Sequence, residues 1–170
     1  MGFGEAVASC FNKYASFSGR APRSEYWWWF LFVFLVSLGV GLVSGILDIA
    51  MGSKMPGFVA RGTVDLILLL PNIAVGVRRL HDLNRSGWWL GASMIMGAFL
   101  LTLLVPVLIR MAENHTNGYA ATYGITPAVF IVMGLLGLVE GIYGLVLFVW
   151  FCMGGTRGAN RFGADPLRAF

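Results

Sequence analysis

Charge is scarce in this chain. Lysine, arginine, aspartate and glutamate together make up 12% of its 170 residues, about half the ~25% share of an ordinary soluble domain. Hydrophobic residues make up 58%, more apolar surface than a soluble fold of this length can hide, so the bilayer is the expected solvent. Cysteine is nearly absent. Cys10 and Cys152 have neither metal-ligand spacing nor the number that a disulfide framework needs, and they read as small buried or interfacial hydrophobes. The first 25 residues carry Lys13, Arg20 and Arg23 but no apolar core followed by a small-residue cleavage site. The first hydrophobic run is therefore expected to act as an uncleaved anchor. The net charge of +4 says less than the placement of its cations, and neither nucleic acid nor a cofactor is an expected partner.

What is present is a set of long oily stretches. A helix needs about 20 mostly apolar residues to cross roughly 30 Å of hydrocarbon. Spans are expected at about 26–47, 62–77, 88–109 and 127–151, within one membrane domain covering 1–170. The first and third contain no charge, and the fourth carries only Glu140. The second is the weakest, being short and interrupted by Asp65, Pro71 and Asn72. It is kept because the flanking charges otherwise fall on inconsistent sides. The fold class is thus an all-α membrane protein, four transmembrane helices forming a bundle.

Lysine and arginine in short connections set orientation. Lys13, Arg20 and Arg23 precede the first span, Arg78, Arg79 and Arg85 fill the central loop, and Arg157, Arg161 and Arg168 lie in the tail. Only Lys54, Arg61 and Arg110 remain for the other side. Both termini are therefore expected in the cytoplasm. The aromatic runs "RSEYWWW" and "RSGWW" suit headgroup depth before the first and third spans. Ahead of them, Phe3, Val7, Phe11 and Tyr14 recur at helical spacing opposite Asn12 and Lys13. This is the pattern of a short amphipathic helix on the inner membrane surface, ended by "SGRAP".

Within the spans, Ser37, Gly41 and Gly45 lie at four-residue steps, and Gly134, Gly137, Gly141 and Gly144 share one face. Such small-residue faces are seams for close helix packing, within one chain or between copies as a homo-oligomer. Glu140 lies near mid-depth beside the last seam, where a charged acid is costly and is expected to be neutral or paired. Asp65, Asn72 and Arg79 repeat at seven-residue steps. With Glu140 they suggest either a polar track for a proton or small solute, or hydrogen bonds that fix helix register.

Three stretches stand out in order: "GRAPRSEYWWWF" before the first span, "RRLHDLNRSGWW" in the central loop and "GTRGANRFGADP" in the tail. With these, the chain resembles the domain of unknown function 805 family of small bacterial inner-membrane proteins, over nearly its whole length. The outer loop "ENHTNGYAATYG" lies outside the resemblance. The resemblance implies a four-helix inner-membrane protein from a bacterium and brings no catalytic residues.

All three motifs fall on the side assigned to the cytoplasm, so Arg20, Arg23, Glu25, Arg78, Arg79, His81, Asp82, Arg85, Arg157, Asn160, Arg161 and Asp165 are expected to converge there. In one reading Asp82, Asp165 and Glu25 pair with the arginines and clamp loop and tail into a rigid cap. In a second, the arginines bind anionic lipid headgroups, with the amides of "GGTRGANRFG" cupping the anion. That stretch lacks the lysine and hydroxyl pattern of a P-loop, so nucleotide hydrolysis is unsupported. A third reading, His81 and Asp82 as acid and base on a lipid, has no clear nucleophile beside it, and is the least supported of the three. The same pair is thin for zinc, which takes three or four ligands, and His115 falls on the far side. The charge asymmetry has a direct check. Reporter fusions after residue 167 are expected to be active only with a cytoplasmic reporter, and fusions at Ser53 only with a periplasmic one.

Overall fold

A computed structural model of the chain describes residues 1–117 and 127–167, and side chains other than those of 111–117 and 127. Most of the loop "ENHTNGYAATYG", the side chain of His115, and Arg168 lie outside the described residues. The described chain forms five helices: α1 (Phe3–Asn12), α2 (Arg23–Met51), α3 (Met55–Asp82), α4 (Trp88–Asn117) and α5 (Pro127–Cys152). Among the described residues there is no strand, only a single bridge between Asn160 and Gly163. The last four helices are long and apolar enough to cross a membrane. Their large side chains point outward, as with Ile46 at 67% and Phe58 at 73% exposed, the arrangement that lipid rewards.

The second span is longer than the apolar run predicts. It reaches from Met55 to Asp82 rather than from 62 to 77. Pro56 sits in its first turn, where the missing N–H costs nothing. Before it, α2 ends on Gly52 in the left-handed conformation (φ 60°), and the Ser53 amide donates back to the Asp48 carbonyl at 3.2 Å. The Asp48 carboxylate then takes the Gly57 amide at 2.9 Å. This closes the α2–α3 hairpin with an acid that lies just past the predicted end of the first span.

The chain divides into two compact units, Met1–Gly87 with the tail from Trp150 onward, and Trp88–Val149. The first has its core where α1 lies across α2 and α3, around Cys10, Ala21, Trp29, Leu68 and Val75. Helix α1 buries its narrow side, Ala6 and Cys10, while Phe3 and Phe11 stay partly exposed and meet Trp28 and Trp29 edge-on. In the second unit, α4 and α5 are joined by Ser93 Oγ donating to Glu140 Oε1 at 2.9 Å and Tyr143 Oη donating to the Trp89 carbonyl at 2.6 Å. The expected glycine seams are not used in this way. A Cβ at Gly41, Gly45, Gly134, Gly137, Gly141 or Gly144 would meet no heavy atom within 4 Å.

Pro71 lies buried inside α3. A proline cannot donate to the carbonyl four residues earlier, and lipid offers that carbonyl no substitute. Here the carbonyl is that of Ile67, and the Tyr14 hydroxyl donates to it. Tyr14 thus fills the gap that Pro71 opens and ties the segment after α1 to the middle of a span. Tyr14→Phe is expected to destabilise the protein in detergent by about 1–3 kcal/mol, the cost of an unsatisfied polar group. In a Pro71→Ala background, where residue 71 supplies its own N–H, the same substitution is expected to cost much less. Thermal unfolding of the four proteins in this cycle measures the coupling.

Candidate functional site

The polar residues of the first unit gather where α3 ends. Asp82 is the hub. Its Oδ1 accepts Arg20 Nε at 3.0 Å and Nη2 at 2.9 Å, and its Oδ2 accepts Arg79 Nη1 at 2.5 Å. All three side chains are at most 4% exposed. The remaining donors of both guanidinium groups run to main-chain carbonyls. Arg20 reaches Thr156 and Gly158 at 2.6 Å each, and Gly163 at 3.4 Å. Arg79 donates to the carbonyls of Phe151, at 3.3 Å, and Met153. These carbonyls end α5, where a helix leaves its last acceptors without intrahelical donors. Arg23 adds a longer contact to the Cys152 carbonyl at 3.4 Å.

The end of α3 has the same problem and a matching solution. Its Asp82 carbonyl accepts both the amide and hydroxyl of Thr156, at 2.9 and 3.0 Å. Its His81 carbonyl accepts Asn160 Nδ2 at 2.9 Å, and its Arg78 carbonyl accepts the Ala21 amide at 3.0 Å. Thr156 is a residue that sequence reasoning passed over, being a threonine beside an arginine. Gly155 packs so closely on Asp82 that any Cβ there would overlap its carboxylate.

A second buried pair lies alongside. Arg78 Nη2 donates to Glu25 Oε1 at 3.1 Å, with both side chains 1% exposed. Ser9 Oγ donates to the same oxygen at 3.2 Å, and Arg78 Nη1 reaches the carbonyls of Lys13 and Ser16 at 3.2 and 2.7 Å. Its Nε, though buried, has no partner.

The outer members of the predicted cluster sit around these two nodes. His81 directs Nδ1 at the Gly19 carbonyl, 3.2 Å away, and stacks its ring on Phe162 at 3.9 Å. The partners of the Asp82 carboxylate are Arg20 and Arg79. Arg85 lies over the Trp150 ring at 3.8 Å, and Arg161 donates to the Asn84 carbonyl at 3.0 Å. Asp165 accepts the Gly158 and Leu167 amides, and Arg157 is exposed. Five of the ten amides of the glycine-rich tail are already taken. Those of Thr156, Gly158, Asn160, Phe162 and Gly163 donate to the protein's own acceptors. Among the described residues, no group of three or more histidine, cysteine or acidic side chains is placed to hold a metal ion.

Over residues 14–164 the chain matches the family described as Protein of unknown function (DUF805). The chain belongs to this family. It is 30% identical over 158 residues to the inner membrane protein YhaI of Escherichia coli strain K12, covering 93% of this chain and 92% of that protein. It is also 30% identical over 157 residues to the inner membrane protein YhaH of the same strain, covering 91% and 90%. No solved structure matches. With its four apolar helices, this DUF805 member is an integral inner-membrane protein.

The intramembrane polar residues of α3 have separate surroundings. Asp65 is exposed on the helix surface, Asn72 accepts Trp29 Nε1 at 2.8 Å, and Arg79 is turned into the Asp82 node. In the other unit Glu140 keeps Oε2 buried without a partner.

Cys10, on α1, is 1% exposed. Burial, and after it the neighbouring Glu25 carboxylate, push its thiol up to about 12. At pH 8 only roughly one molecule in ten thousand then carries the reactive thiolate. Maleimide labelling of the folded protein at pH 8 is expected to modify exposed Cys152 and spare Cys10 until the chain is unfolded. Mass spectrometry of the peptides reads both sites, and equal rates would contradict the burial of Cys10.

Proposed function

We propose that the arginine–carboxylate network is a structural cap on the cytoplasmic face of an inner-membrane protein with both termini inside. In this reading it fastens the tail to the end of α3 and seals the carbonyls that end α5. The observation that carries it is the use of donors. The guanidinium groups of Arg20 and Arg79 are consumed by Asp82 and by carbonyls at Phe151, Met153, Thr156 and Gly158, leaving little for a ligand. The orientation is supported by the excess of lysine and arginine in the segments that build the cap.

A cap of this kind predicts a mechanical phenotype. Removing one partner from a buried ion pair costs about 3–5 kcal/mol, because the other charge stays buried without compensation. Asp82→Asn is expected to lower thermal stability by that order and to open the tail beyond Met153 to added protease at temperatures where the wild type resists. Arg157→Ala, on an exposed side chain, is expected to change neither. Equal protease resistance of the Asp82→Asn tail and the wild-type tail would argue against the cap.

A further inference from the structure

The cap leaves one cationic feature unexplained. Its first node contains two arginines, Arg20 and Arg79, and one acid, Asp82, and so has a net positive charge in a site at most 4% exposed. The second node, Arg78 with Glu25, is neutral. Arg20 also forms part of the wall of a cleft of about 250 Å³, together with Lys13, Ser24, Glu25, Pro166 and Leu167. Glu25 also lines the cleft, its charge balanced by Arg78 at 3.1 Å. Lys13 is exposed, and none of the ion pairs among the described residues uses its ammonium group. The cleft is therefore positive, supplied with a hydroxyl by Ser24, and apolar on the side of Pro166 and Leu167.

We infer that this cleft binds the phosphate group of an anionic phospholipid of the inner leaflet. Three observations select that ligand. The cleft is lined by Pro22, Ser24 and Glu25 where α2 begins, just ahead in the chain of the aromatic run Tyr26–Trp29 that suits headgroup depth, so its natural source of phosphate is the membrane surface. Its volume is below the ~300–1,000 Å³ of sites that enclose a whole drug-sized molecule, which leaves room for a phosphate and its glycerol but not for acyl chains. Its mixed wall matches a group that is anionic at one end and apolar at the other. Anionic lipids attract such cations at about 1 kcal/mol each. The inference rests on the reading that this face lies at the inner membrane surface, and goes beyond it by giving the ligand's ion pair to Lys13, while Arg20, its donors consumed by the cap, adds only charge to the wall.

Lys13 makes the test clean, because the fold uses its carbonyl, which accepts Arg78 Nη1, and not its ammonium. The experiment is native mass spectrometry of the full chain exchanged into vesicle-derived nanodiscs of phosphatidylglycerol or of phosphatidylcholine, then released in detergent. The wild type is expected to retain one phosphatidylglycerol per chain and no phosphatidylcholine. Lys13→Ala is expected to lower that retention about fivefold and Lys13→Glu further, with melting temperature in lipid-free detergent unchanged. Equal retention by wild type and Lys13→Glu would place the lipid elsewhere and overturn the inference, as would equal retention of both lipids. Loss of the bound lipid on adding inorganic phosphate at millimolar concentration would make the cleft a site for soluble phosphate, and that too would overturn it. A failed cap would instead appear as a protease-resistant tail in Asp82→Asn, and a wrong orientation in the reporter fusions. Neither readout depends on retained lipid.

Discussion

Asp82 takes both an arginine from the segment before α2 and an arginine from its own helix, one on each carboxylate oxygen. Nearly everything in the first unit is positioned by that arrangement. Arg20 could not be held inside without its countercharge, and without Arg20 the carbonyls of Thr156 and Gly158 would lose their donor. Arg79 depends on the same acid, and through it the end of α5 is sealed. The close approach of Gly155 is what admits the tail to this point. A single residue thus holds segments more than sixty residues away on either side, Arg20 through its carboxylate and Thr156 through its main-chain carbonyl.

Arginine suits this role in a way lysine does not. Its planar fork presents five donors in fixed directions, so one side chain can pair with an acid and still serve two or three carbonyls. Arg79 does this between Asp82 and the end of α5, and Arg78 does it between Glu25 and the carbonyls of Lys13 and Ser16. The result resolves the difficulty that helix ends pose at a membrane surface, where exposed carbonyls need donors and water is only partly available. Helix termini and buried charges satisfy one another, and neither would be stable there alone.

Much of this arrangement was legible in the residues. Hydropathy and length reveal four spans, and the three polar motifs do meet at the end of α3. What the sequence hides follows from how its signals work. The length of α3 is masked because its ends carry Arg61, Arg78 and Arg79, whose polarity reads as loop while their partners, the Gly41 carbonyl, Glu25 and Asp82, are unknown. Tyr14 reads as part of an amphipathic stripe, and only the structure shows that it supplies what Pro71 withholds. Asp48 lies in no motif, and Thr156 is not marked out within "GTRGANRFGADP", since capping a distant carbonyl or amide leaves no periodic trace. The glycine stripes give the opposite lesson. Their spacing is a strong packing signal, yet within the described chain their faces remain open.

The tail's place in the cap also has a consequence for how the protein is made. Arg20 and Arg79 leave the ribosome well before Phe151, Met153, Thr156 and Gly158, the residues whose carbonyls they finally occupy. Until the last span has been inserted and the tail released, Asp82 alone must answer two guanidinium groups, and the ends of both α3 and α5 stay unsealed. Closure of the cap therefore waits on the synthesis of Thr156 and Gly158. A nascent chain that stalls before Thr156 lacks the carbonyls that occupy Arg20 and the amide and hydroxyl that take the Asp82 carbonyl.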